Sequence, residues 1–105
     1  MSTEPLTRAE AIRRLQAAEP EIRAFGVERL ALFGSVLRDQ ARPDSDVDVL
    51  VAFSAGTRSF DHLLSLSELL EECLDRRVEV VTVEALSPFI APRILAEAED
   101  VLRAA

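Results

Sequence analysis

The sequence predicts an α/β domain, a small sheet covered by helices, and three observations predict it. Short apolar runs at 28–33, 46–53 and 77–83 have the length and β-branched content of strands. Amphipathic stretches of helical period lie between and after them. Segment 60–74, between the second and third runs, has the length of a crossover helix, which sets strand three parallel beside strand two.

Each element has its own local reason. Thr7-Arg8-Ala9-Glu10 forms a capping box for a first helix carrying Ala11, Ile12, Leu15 and Ala18 at helical spacing. Pro20 interrupts or restarts that helix, and Gly26 ends it near Phe25. "ERLALF" (28–33) is the first strand. Gly34-Ser35 then turns sharply into a short helical stretch, Val36 to Arg38. "DQARPDS" (39–45) is loop by its Pro, Asp and Ser content, and "DVDVLVAF" (46–53) is the second strand. After the "SAGTRS" loop, helix 60–74 turns Phe60, Leu63, Leu64, Leu66, Leu69, Leu70, Cys73 and Leu74 toward the core. "RVEVVTV" (77–83) is the third strand. Ser87-Pro88 starts a last helix by N-cap and first-turn proline, and Ile90, Ile94, Leu95, Ala98, Val101 and Leu102 carry it on, with Pro92 in or near its first turn.

The 105 residues are expected to form one domain, 1–105, with a core large enough to need no staples. Hydrophobic residues make up 49% and charged residues 30%, a globular balance. No apolar run approaches the roughly 20 residues of a membrane span, and the polar start "MSTEPLTRAE" is not a secretory signal, so a cytoplasmic protein is expected. The lone Cys73 has no thiol partner for a disulfide or a metal site and reads as a small core hydrophobe, consistent with a reducing cytosol. Net charge is −7, and all 12 basic residues are arginine. That balance argues against a general nucleic-acid binder, which needs a basic face; it suits a solvated surface or a basic partner.

Apolar strands usually exclude carboxylates, because an unpaired buried charge costs several kcal/mol. Yet Asp46 and Asp48 stand one residue apart at the start of the second strand. Alternation puts both on one face, about 7 Å apart along the strand, with Val47, Val49 and Val51 on the other. In the third strand Glu79 alternates with Val78 and Val80, so a third carboxylate reaches the same patch. A like-charged pair at 4 Å costs about 4 kcal/mol at an effective dielectric near 20. Mg²⁺ would remove that repulsion, because it accepts carboxylates together with phosphate oxygens. Gly34-Ser35 supplies the other half: a backbone that lets a ligand approach, free N–H groups and a hydroxyl suited to phosphate. Arg38 shares the helical face of Ser35 and could neutralise a phosphate or orient a loop carboxylate such as Asp44. Each element alone has a plainer reading as a turn, an exposed strand end or a surface charge. Together they point to a metal–nucleotide complex.

"GSVLRDQARPDSDVDVLV" resembles the Gly-Ser, Arg, Ser-Asp-x-Asp signature of the polymerase-β-type nucleotidyltransferase superfamily. More closely, the chain is similar to the minimal nucleotidyltransferases (MNT proteins) of bacteria and archaea, from about Ile22 to Leu95 and including "VEVVTVEALSPFIAPRIL". The resemblance implies a small mixed sheet flanked by helices. It implies Gly34, Ser35 and Arg38 as nucleotide-binding residues, Asp46, Asp48 and Glu79 as catalytic residues and metal ligands, Mg²⁺ as cofactor and ATP as substrate. The third family acid is usually aspartate, and Glu79 is one methylene longer.

MNT proteins are commonly antitoxins paired with HEPN-domain ribonuclease toxins, and some transfer AMP from ATP to a toxin tyrosine. By resemblance this chain is such an antitoxin, a protein adenylyltransferase in a hetero-oligomer with its toxin. No nucleic acid or membrane is expected as direct partner. A chain this short is expected to lack the second domain with which larger relatives grip an acceptor, so the acceptor is expected to arrive on a partner. With no tyrosine in this sequence, self-modification on tyrosine is excluded. Two other readings stay open here. In one, the catalytic site has decayed at Glu79 and the antitoxin works by contact alone, through an amphipathic helix at 87–105. In the other, the acids bind a metal without a nucleotide; His62, early in helix 60–74 and expected at the surface, adds nothing to such a site.

Overall fold

The computed structural model describes residues 4–54 and 60–103. Helix α1 (Arg8–Ala17) starts as the capping box requires, with the Thr7 hydroxyl accepting the Glu10 N–H at 3.2 Å. Pro20 begins a new short helix, α2 (Glu19–Ala24), because proline fits a first turn and not a helix interior. Gly26, at φ +86°, turns the chain into strand β1 (Val27–Phe33). The one-turn helix α3 (Gly34–Leu37) follows directly, then the loop and strand β2 (Val47–Phe53). Helix α4 (Phe60–Leu74) crosses to strand β3 (Val78–Thr82). A 3₁₀ turn, Val83–Ala85, leads to α5 (Ala91–Glu97) and a last strand, β4 (Glu99–Leu102).

The sheet runs β3-β2-β1-β4. Strands β2 and β3 are parallel, as the crossover length requires, and β1 is antiparallel to both β2 and β4, so the sheet is mixed. Val47, Val49, Val51 and Phe53 pack with Leu30 and Leu32 of β1 and with Leu15, Ile22, Leu66, Leu70 and Leu74 of the helices in one continuous core. The opposite face carries Asp48 and the residues beside it.

The C-terminal reading is corrected by the structure. The expected helix from Ser87 through Leu102 is shorter at both ends. Ser87 heads a turn over Pro88–Ile90 rather than capping the helix, which runs Ala91–Glu97 with Pro92 in its first turn. Ala98 is extended, and Glu99–Leu102 is a strand. The cause is tertiary. The outer edge of β1 would otherwise stand unpaired, and β4 closes it, with Leu30 opposite Leu102 and Leu32 opposite Glu99. Val101 and Leu102 are buried there, an outcome that four residues with two apolar side chains do not announce. The helix over 87–105 through which a contact-only antitoxin would act is therefore cut to Ala91–Glu97.

Two further expectations shift. Leu64 points outward from α4 at 52% exposure, while Leu66, Leu70 and Leu74 fill the core. Cys73 is half-buried at the rim of a groove of about 450 Å³ between the helices, lined also by Arg13, Arg14 and Leu69, rather than inside the core. Burial pushes its thiol pKa up, which makes it a poor nucleophile. The expected loop at 55–59 and the inward side chain of Phe60 lie outside the described residues.

Candidate active site

The acids meet where β2 and β3 begin. Asp46 immediately precedes β2, and Asp48 is its second residue, paired in register with Glu79 of β3 on one side and Phe33 of β1 on the other. Because β2 and β3 are parallel and in this register, Asp48 and Glu79 emerge on the same face as neighbours. Burial, hydrogen bonding with Glu79, and repulsion from Glu79 and then Asp46 push the Asp48 pKa up to about 6, with Arg38 opposing. A carboxyl that keeps its proton well above its ordinary range is under electrostatic pressure that a cation would relieve.

Asp46 is half-exposed and faces Arg77, whose Nε lies 3.8 Å from its Oδ1. Among the described residues no three carboxylate, imidazole or thiol side chains converge as a ready set of metal ligands. Asp48 and Glu79 are together, while Asp46 stands one step away with its charge turned to the arginine. The donors are all hard oxygens, the set that suits Mg²⁺.

Gly34 closes the site from the β1 side. Its φ is +79°, a conformation that side-chain-bearing residues rarely adopt, and a Cβ there would lie 2.2 Å from Asp48 Oδ2. Glycine is thus required twice, for the turn and for the approach of the backbone to the carboxylate. Beside it, Ser35 opens α3, and its hydroxyl bonds no other described residue. Arg38 caps α3, and its guanidinium bonds the carboxylate of Glu97, the last residue of α5, rather than Asp44. The structure therefore brings Gly34, Asp48 and Glu79 into contact, keeps Asp46 and Ser35 at their edge, and holds Arg38 near enough for its charge to act on Asp48.

Sequence reasoning missed Glu97 and Arg77. Glu97 left no signal, since 87–102 has the period of one continuous helix. Arg77 did: it alternates with Glu79 just as Asp46 alternates with Asp48. His62 is exposed on α4 and stacks edge-on against Phe25 at 6.4 Å, far from the acids in the fold.

Comparison with known proteins shows the family. The family model of the nucleotidyltransferase domain matches residues 12–101. The chain belongs to the nucleotidyltransferase domain family. Within it, the chain is similar to proteins of the minimal nucleotidyltransferase type. A protein of Methanocaldococcus jannaschii is 41% identical over 83 residues, covering 79% of this chain and 88% of its own. A Thermococcus cleftensis relative named protein adenylyltransferase MntA is 40% identical over 84 residues, covering 79% and 84%. A solved structure of the minimal nucleotidyltransferase type superposes with a TM-score of 0.74 at 38% identity, covering 86% of this chain and 92% of that one. A toxin–antitoxin structure with AMP-PNP superposes with a TM-score of 0.68 over 85% and 73% of the two chains, but at 18% identity it speaks for the fold alone. As an enzyme, the chain is a nucleotidyltransferase. No described helix is long and apolar enough to cross a membrane.

Proposed function

We propose that this chain uses Mg²⁺ and ATP to transfer AMP to a HEPN-domain ribonuclease toxin, and thereby acts as a cytoplasmic antitoxin. The observation that carries the reading is the packing of Gly34 against Asp48, which stands in register beside Glu79. A bare backbone beside crowded carboxylates leaves room for phosphate where a metal would sit. The name of the Thermococcus relative supports AMP transfer to protein, and solved complexes of HEPN toxins with MNT antitoxins share the fold.

In this reading an acceptor hydroxyl attacks the α-phosphorus of ATP. The new O–P bond forms as the bond to the bridging oxygen breaks, and pyrophosphate leaves. Glu79 takes the hydroxyl proton; it lies on the edge strand and is exposed, so it faces an acceptor brought by another molecule. Gly34 admits the phosphates, the Ser35 hydroxyl donates to them, and Arg38 adds charge at their side. Asp46, Asp48 and Glu79 are the residues that would hold Mg²⁺, which when bound neutralises phosphate charge as the α-phosphorus is attacked. The extra methylene of Glu79 is tolerable at an edge position, where its side chain is free to adjust.

The test is the intact mass of a co-expressed HEPN partner after incubation with this protein, ATP and Mg²⁺. The expected result is a gain of one or more AMP units, absent with Asp46→Asn/Asp48→Asn. No gain, from a complex that stays bound, would mean that the chain silences its partner by contact.

A further inference from the structure

Arg77 stands one residue before β3, and the β2–β3 ladder extends to it through the Val47 N–H, which donates to the Arg77 carbonyl at 2.8 Å. With Val47 opposite Val78 and Asp48 opposite Glu79, strand alternation places Arg77 on the face of the acids, beside Asp46. The site thus has two cross-strand pairs: Asp48 with Glu79, and Asp46 with Arg77. The second is loose. Arg77 is 86% exposed and meets Asp46 only at 3.8 Å.

A polyanionic nucleotide entering an acid cluster on a protein of net charge −7 needs cations from the chain as well as from metal. Arg38 is already bonded to Glu97. Arg77 is the less committed of the two. Its partner Asp46 is also the carboxylate that a metal must claim, so metal and Arg77 compete for one charge.

We propose that Arg77 is a positioning residue that exchanges partners: it pairs with Asp46 in the ligand-free site, and turns to a phosphate oxygen of the nucleoside triphosphate when a divalent cation takes Asp46. The inference rests on the metal–nucleotide reading of the site and adds to it a residue and an order of events. Released by the metal, the guanidinium is left uncompensated at the rim of the site, and its planar fork fits a phosphate. The exchange predicts effects of opposite sign, which a merely structural arginine does not produce. Removing it takes away a competitor of the metal and a ligand of the nucleotide.

The test is calorimetry on the full chain with Mn²⁺ alone, and with AMP-PNP in saturating Mg²⁺. Truncation of so exposed a side chain leaves the backbone pairing intact, so the variants fold. Arg77→Ala should bind Mn²⁺ about 2–5-fold more tightly, the worth of an exposed ion pair, and AMP-PNP about tenfold more weakly, the worth of a charged hydrogen bond. Arg77→Lys, which keeps the charge without the fork, should bind Mn²⁺ as wild type does and AMP-PNP at an intermediate strength. Constants that do not move, or that move in the same direction, would overturn the exchange while leaving the nucleotide site standing. Wild-type protein that binds neither Mn²⁺ nor AMP-PNP would overturn the metal–nucleotide reading, and the exchange with it.

Discussion

Val47, Val49, Val51 and Phe53 turn one side of β2 into the helical core, while on the other side of the same strand Asp48 meets Glu79 and the bare Cα of Gly34. The first row is buried apolar surface, where each side chain adds to stability. The second holds like charges together and a backbone that tolerates no side chain, and both features cost stability. A strand with period two lets adjacent residues serve opposite ends. The apolar row makes the fold rigid enough to hold the acids in a geometry they would not choose unaided.

That contrast is open to test, beginning where the effect is largest. Leu70→Ala in the core should cost about 3 kcal/mol by urea unfolding, since Leu70 is fully buried. The folded fraction should still bind Mg²⁺ with ATP. Gly34→Ala combines a positive φ with a clash on Asp48 and should cost about 1–3 kcal/mol while also abolishing nucleotide binding. Adding Asp48→Ala to it should return part of the stability but none of the binding, a coupling that a double-mutant cycle reads directly.

The sign reverses for Asp48→Asn, which should stabilise the metal-free protein by about 1 kcal/mol at pH 8, the shift being discounted for partial exposure. Folding raises the Asp48 pKa from 3.8 to about 6, so the folded state holds the proton more tightly than the unfolded chain. Stability of the wild type should therefore fall as pH rises from about 4 to about 6 and then level off, and the variant should lack that part of the slope. Thermal unfolding across this range, with and without the substitution, checks both. Smallest of all, Phe89→Ala should change stability by less than about 0.5 kcal/mol, because that ring is 93% exposed and belongs to neither face.

Most of the fold was legible because its signals are local. The Thr7–Glu10 box, the restart at Pro20 and the turns at Gly26 and Gly34 each follow from the chemistry of a few neighbouring residues. The parallel pairing of β2 with β3 followed from the length of α4, and the joint face of Asp48 and Glu79 followed from alternation. What stayed hidden depends on distant partners. The strand at Glu99–Leu102 exists because β1 has an edge to close, and Glu97 meets Arg38 only once α5 has folded back. Leu64 kept helical period yet points outward, since its neighbours Leu66 and Leu70 already fill the space beneath α4. Arg77 is the instructive omission, because the rule that found the acids also applied to it.

The measurement that bears most directly on the whole account is the melting temperature at pH 8 with Mg²⁺ alone, ATP alone and both together. The acid face predicts a modest rise with Mg²⁺, little with ATP, and the largest rise with both, all absent in Asp46→Asn/Asp48→Asn. A full rise with Mg²⁺ that ATP does not extend, or the same rise in the double variant, would contradict a site built for a metal–nucleotide complex.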